Sequence, residues 1–314
     1  MNHPAPPGFR LSRICAAGWV ESVQGSVHIR LFLGILCLTV LTACQSSRTG
    51  TSASSPEAVS LFERRLIRVY DTETELKARA LETDDDGQTE DIRRRFEQIV
   101  REYESIIADN PQEVEPLLLF GKFLAWFGDR EGAHTQFLRA QRIAPRTAVV
   151  QQQLGAYYAE EGDFNSALAF YLRAVELAPD EPAYHTDLGE LLYVFSPGFI
   201  ADELFTPELV DEMKLEAFTR AAELSGDDLI PQFRLGQAFY DVDSPPWERA
   251  LTHWEQLYRR TLSPTQRDAV RLHRARALFA LERYDEAETI AREVRADLLR
   301  ETRDALLAEI AEAR

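Results

Sequence analysis

The sequence predicts an all-α protein, a solenoid of about five helical hairpins closed by helices at its ends. The chain copies itself at a fixed interval: Gly121, Ala133, Phe137, Ala140 and Pro145 are followed 34 residues later by Gly155, Ala167, Tyr171, Ala174 and Pro179. Small Gly and Ala let two antiparallel helices approach, the aromatic ring fills the space beside them, and Pro ends the second helix. Between the helices, "FGDREGA" and "EGDFNSA" place Gly128 and Gly162 where a first helix must end, with Asp129 and Asp163 capping the next.

The segments before the repeats set expectations about location. Residues 1–43 read as a targeting segment: thirteen mostly apolar residues, Leu31 to Ala43, follow His28 and Arg30, too few to span a bilayer, which takes about 20. Residues 1–26 are Pro-rich and unpatterned, so Val27 is the expected start of translation. Leu41, Thr42 and Ala43 before Cys44 resemble the lipobox of bacterial lipoproteins, and that resemblance implies that the Cys44 sulfur is acylated and becomes the new N-terminus. Residues 44–56 add a Ser/Thr/Gly tether, "QSSRTGTSASSP", too poor in apolar content to fold. The expected localisation is the bacterial cell envelope, with Gln45 after the cysteine resembling outer-membrane sorting on the periplasmic side. A cytoplasmic protein whose N-terminal apolar helix packs on its own core is the alternative.

Residues 57–113 are expected to form N-terminal helices and a half-repeat. Val59, Leu61, Phe62, Leu66, Val69 and Tyr70 follow a helical period, and Tyr103 and Pro111 stand at the spacing of a second repeat helix. Residues 114–301 form the solenoid. Units 114–147 and 148–181 fit closely; a third opens at Leu188 and Gly189, a fourth at Leu235 and Gly236, and a fifth has Ala275 in place of Gly and Glu282 in place of the turn glycine. The third unit has an insert at 195–213, expected as an overlong loop. Residues 302–314 read as a C-terminal capping helix.

The repeat pattern resembles the tetratricopeptide repeat, and the resemblance covers most of residues 90–301. It implies a right-handed solenoid whose first helices line a concave face that holds a protein or peptide partner. In register, that face carries Leu118, Lys122 and Ala125, then Gln152, Ala156 and Ala159, then Thr186, Glu190 and Tyr193, then Phe233, Gln237 and Tyr240. Only Lys122 among them is cationic, so segments offering apolar or basic side chains are the favoured partners, and acidic tails are not. Within the insert, Phe199 and Phe205 are candidate anchors, either folded back on the solenoid or presented to a partner.

Charge and composition narrow the function. The chain carries −17; setting aside residues 1–44, with Arg10, Arg13, Arg30 and Glu21, leaves 32 basic and 51 acidic residues and a charge of −19. Such a surface repels nucleic acid and anionic lipid headgroups, so membrane attachment rests on the lipid at Cys44. Cys15, Cys37 and Cys44 are the only cysteines, so the mature domain has no disulfide. Neither catalytic nor metal motifs are found: His134, His185, His253 and His273 match no HExxH or Cys/His spacing. "ETDDDGQTEDIR" superficially resembles a calcium loop but has Arg93 where the bidentate Glu belongs. His185 sits in the register of Leu117 and Gln151 and reads as a packing residue. Arg267, Arg271 and Arg274 form a basic stripe on one helix. No cofactor is implied, and the reading is a non-catalytic scaffold or adaptor. The competing reading is a lipid-anchored enzyme or regulatory subunit with a site near 195–213.

Overall fold

The computed structural model describes residues 60–82 and 86–314, and secondary structure among these residues is entirely helical. The targeting segment, Cys44 and the tether lie outside the described residues. Helices α1 (Leu61–Glu82) and α2 (Asp86–Asp109) are followed by five pairs: α3 (Glu115–Trp126) with α4 (Arg130–Ile143), α5 (Ala148–Glu160) with α6 (Phe164–Leu177), α7 (Pro182–Ala201) with α8 (Pro207–Leu224), α9 (Leu229–Ala238) with α10 (Trp247–Tyr258), and α11 (Pro264–Ala280) with α12 (Tyr284–Arg292). A 3-10 turn, Asp297–Leu299, leads into α13 (Arg300–Ala313). This is the solenoid of five hairpins that the repeat pattern predicts.

Four of the five hairpins use one turn. In the first, the Asp129 N–H donates to the Leu124 carbonyl and the Gly128 N–H to that of Ala125, with Gly128 at φ 86. This is the Schellman closure, which requires a left-handed residue after the helix. Gly162 at φ 77, Glu203 at φ 55 and Glu282 at φ 61 occupy the same place in the second, third and fifth hairpins, with the same pair of bonds. The register of the fifth hairpin is therefore that of the others, although a glutamate stands where glycine is favoured. A side chain there costs about 1 kcal/mol or more. Glu282→Gly is accordingly expected to raise stability by about 0.5–1 kcal/mol, since glycine's entropy loss offsets part of the relief; urea denaturation measures it.

Within the insert at 195–213, Thr206 and Pro207 begin α8, as Pro after a capping Thr predicts, but contrary to expectation residues 195–201 are not loop and continue α7. From Gly121 to Gly128 the chain advances seven residues, but from Gly189 to the matching Glu203 it advances fourteen. The extra residues lengthen the first arm of the third hairpin by close to two turns and the second by about one, α7 having 20 residues against 13 in α5 and α8 18 against 14 in α6. The "SPG" sequence at 196–198 reads as a helix breaker, yet α7 runs on through Pro197. It does so because Phe195, Phe199 and Ile200 pack with Phe164, Val210 and Met213 in one apolar cluster, and that burial outweighs the local cost of Pro.

The glycines that head each pattern act as predicted. A Cβ on Gly121, Gly155, Gly189 or Gly236 would come within 3 Å of the ring of Phe137, Tyr171, Phe218 or Trp254 respectively. Each of these four hairpins is thus a helix carrying a bare backbone patch pressed against an aromatic ring on its partner, while the fifth has Ala275 at that place.

The two ends are closed differently. The expected half-repeat before the first hairpin is completed by α1. The Tyr103 hydroxyl on α2 donates to Glu73 Oε2 on α1 at 2.6 Å, and Lys77 donates to the other oxygen at 2.5 Å. Burial and the Glu73 carboxylate raise the Tyr103 phenol well above its ordinary pKa, so it stays a donor. At the other end, Leu306 and Ile310 of α13 are buried in a cluster with Ala287 and Ala291 of α12. Buried Asp268 on α11 accepts from the Arg295 and Ala296 N–H groups at 2.8 Å each, pinning the segment before α13.

Candidate functional site on the first helices

The side chains that the repeat register assigns to one face meet across successive hairpins. Gln152 of α5 donates its amide to Asp187 Oδ2 of α7 at 2.7 Å. One turn on, Glu190 of α7 accepts from Arg234 of α9, at 2.5 Å from Nε and 3.3 Å from a terminal nitrogen. A second terminal nitrogen of Arg234 reaches Asp241 at 3.2 Å. The guanidinium lies 4.7 Å from the Tyr193 ring centroid and 4.1 Å from that of Phe218. Three first helices are thereby laced by two polar links, one between α5 and α7 and one between α7 and α9.

Arg234 is, with Asp187 and Asp241, a residue that the register reading missed. It stands one position after Phe233, in the register of Asp187 and Gln153, a position left out when only one narrow stripe of each helix is read. The signal that finds it is charge complementarity, because Glu190 and Asp241 flank its position. Phe233 and Tyr240, expected on the open face, are half-buried and packed against rings of the neighbouring helices. Phe233 meets Trp254 edge-on at 5.5 Å, and the Tyr240 hydroxyl accepts from Trp254 Nε1 at 2.5 Å while its ring stacks on Trp247 at 5.2 Å. The α9–α10 connection has no left-handed residue, and Tyr240, just beyond α9, is drawn to α10 and α11. Leu118 is buried in the core.

Lys122, Gln152, Glu190 and Gln237 are all half-buried on their helices. Tyr193 is 39 % exposed and Val194, next to it in the chain, 46 %; elsewhere on the first helices Trp126 of α3 and Ile230 of α9 are 37 and 48 % exposed. The insert anchors divide. Phe199 is fully buried, edge-on to Phe164 at 4.9 Å, so it holds α7 to the solenoid and offers nothing to a partner. Phe205 is half-buried beside it at 5.8 Å.

The electrostatics of this face are those of carboxylates short of cations. Burial pushes the Asp187 carboxyl up to about 6, with the Gln152 hydrogen bond pulling it down and Glu190 pushing it further up. Burial also raises Asp241, against the pull of Arg234. A carboxyl whose folded pKa is raised contributes stability that is fully present below about 4 and is lost as pH rises through about 6. Asp187→Asn is therefore expected to stabilise the chain at pH 7 by about 1–2 kcal/mol and to flatten its stability between pH 4 and 6; denaturation midpoints across that range check both.

The histidines have packing roles. His185 Nε2 lies 2.8 Å from the Pro179 carbonyl, just as the Gln151 amide donates to that of Pro145 at 2.9 Å one repeat earlier. Among the described residues no group of three or more His, Cys, Asp or Glu is placed to hold a metal, and no helix is long and apolar enough to cross a membrane.

Residues 148–181 match the family model of the tetratricopeptide repeat, so the unit formed by α5 and α6 is a repeat of that class. The chain is similar to several solved structures. YrrB, described as a TPR protein with an unusual peptide-binding site, is 15 % identical, with 68 % of this chain and 98 % of that one covered at a TM-score of 0.49. PilF of Pseudomonas aeruginosa is 13 % identical over 79 % of this chain and 100 % of its own, at 0.48. An O-GlcNAc transferase mutant of Thermobaculum terrenum is 23 % identical over 52 % of this chain and 26 % of that one, at 0.35. No curated protein matches.

Proposed function

We propose that the protein is a non-catalytic scaffold that holds peptide segments of partner proteins along the face of α5, α7 and α9, taking segments in which basic and apolar side chains alternate. The observation that carries this reading is the pair of polar links Gln152–Asp187 and Glu190–Arg234–Asp241, with the exposed Tyr193 ring against the Arg234 guanidinium and Val194 next to it in the chain. Asp187 forms no ion pair there, while Glu190 and Asp241 share Arg234, with Lys214 also acting on Asp241. An incoming Lys or Arg beside Asp187 relieves that imbalance, while Tyr193 and Val194 supply the apolar area that gives such contacts their affinity. Because a cation beside Asp187 favours its ionised form, binding a basic segment releases protons and tightens as pH rises from about 4 to 6.

The reading extends to place: an envelope lipoprotein attached through acylated Cys44, with residues 45–56 as its tether. Its support is the apolar run Leu31–Ala43 followed directly by a cysteine and a polar, small-residue tract. More than one acyl chain, at about 0.8 kcal/mol per buried methylene, makes such an anchor effectively permanent.

Selection of a random peptide library on the purified chain tests the binding reading. Recovered peptides should be enriched in Lys or Arg beside apolar residues and lose binding to Tyr193→Ala; selection of acidic peptides would contradict it. Fractionation of cells expressing wild type or Cys44→Ser tests the location, with only the wild type expected to carry lipid mass and sediment with membranes.

A further inference from the structure

The basic stripe on α11 is not absorbed by the peptide-binding face. Ala275 takes the place of the repeat glycine, so the residues in register with Gln152 and Glu190 are Leu272 and Arg276. Arg267, Arg271 and Arg274 lie on a different flank, turned to the end of α10. Their guanidinium carbons lie 5.4, 5.5 and 4.7 Å from the ring centroid of one residue, Tyr258. With all three within 5.5 Å of a common point, no two are more than about 11 Å apart.

Counter-charge at this cluster is short. Arg271 pairs with Asp268 at 2.7 Å and with Glu293 at 3.3 Å, but Asp268 is already engaged by the Arg295 and Ala296 N–H groups. Among the described residues, Arg267 and Arg274 have no carboxylate within 4 Å, and the Nε of Arg274 is buried without a hydrogen-bond partner. Exposed Arg259 and Arg295 adjoin Tyr258 and the Asp268 turn in sequence. This is a concentration of unneutralised cations in a chain of net charge −17, where most arginines hold an acidic partner.

We propose that Arg267, Arg271 and Arg274 around Tyr258 form a binding site for a phosphate group. The choice of ligand follows from geometry. Two guanidinium groups free of carboxylates, those of Arg267 and Arg274, stand no more than about 10 Å apart around one ring, each with N–H donors to offer. A phosphate monoester, with charge near −2 and three acceptor oxygens, can satisfy both, whereas a lone carboxylate fills one fork. An extended acidic peptide spaces same-face carboxylates by about 6.6 Å along its length and suits a row of cations better than a cluster closed around one ring. Partial burial of the three side chains strengthens each charge-assisted bond, and the acidic remainder of the surface repels anions elsewhere. The phosphate belongs either to a soluble compound or to a phosphorylated side chain of a partner.

Calorimetric titration of the full chain with inorganic phosphate, and with a phosphoserine hexapeptide, at constant ionic strength set by chloride, tests the site. Saturable one-site binding is expected, weakened at least tenfold in Arg274→Gln and in Arg267→Gln. Tighter binding of the hexapeptide than of inorganic phosphate identifies a phosphorylated partner, and the reverse order a soluble ligand; either supports the site. Arg267 makes no hydrogen bond whose loss would unfold α11, so Arg267→Gln carries the test if Arg274→Gln proves unstable. A phosphate response no larger than that to chloride, or one unchanged in folded Arg267→Gln, would overturn the proposal.

Discussion

Gly236→Ala is expected to destabilise the chain by about 2–3 kcal/mol, although alanine is the better helix former by close to 1 kcal/mol. A methyl group there would come within 3 Å of three indole atoms of Trp254. That ring has no room to retreat. It is fully buried, its Nε1 is held by the Tyr240 hydroxyl, and it stacks on His273 at 4.2 Å and 5° and on the edge of Phe233 at 5.5 Å. Burial also depresses the His273 imidazole to about 4, so the stack is made with a neutral ring at ordinary pH. The corresponding change at Gly155 faces Tyr171, which is less enclosed, and should cost less. Urea denaturation of both variants decides the matter: a neutral or stabilising Gly236→Ala would mean that the glycine is not kept by the ring.

Arg234→Met is expected to cost about 2 kcal/mol at pH 7. A buried ion pair broken from one side loses roughly 3–5 kcal/mol, but Arg234, Glu190 and Asp241 retain 16, 29 and 28 % side-chain exposure, and water takes up part of the loss. The sign with pH is fixed by Asp241, already raised by burial and no longer held down by the guanidinium. The variant's folded state therefore takes up a proton more readily than its unfolded chain, and its deficit should shrink as pH falls toward 5. The methionine also leaves the face more acidic, so affinity for a basic segment should be maintained or increased. A variant weakened in basic-peptide binding to the same extent as Tyr193→Ala would show that Arg234 contacts the ligand instead of balancing the carboxylates.

The hairpins were legible because their determinants are local and repeated. Gly155 and Tyr171 sit in the pattern of Gly121 and Phe137, and Asp129 and Asp163 accept from the Gly132 and Ser166 N–H groups as capping predicts. Local signals misled where distant packing outweighs them. Ser196, Pro197 and Gly198 look like a break, and the apolar cluster with Phe164 of the preceding hairpin and Val210 and Met213 of α8 explains why α7 continues. Glu203 and Glu282 fill glycine's place because the Schellman bonds and the flanking helices impose the left-handed backbone on whatever residue stands there.

The face of the first helices was half legible. Gln152, Glu190 and Tyr193 follow from the 34-residue register, whereas Arg234 lies one residue off the stripe. Phe233 and Tyr240 fall on the stripe but are claimed by Trp254 and Trp247, since the fourth hairpin turns by a different connection. A register gives angular position around a helix; how far each neighbour reaches is a tertiary property. The Tyr258 cluster was visible only as three arginines on α11, because its focal ring comes from another helix.

The central claim is that peptide segments bind along α5, α7 and α9. Amide hydrogen exchange of the full chain, with and without a peptide selected on it, tests this most directly. The account predicts slowed exchange in the segments 148–160, 182–194 and 229–241, with little change in α4, α6 and α10. Protection confined to those second helices, or to the tip of the third hairpin near Leu204 and Leu209, would contradict it.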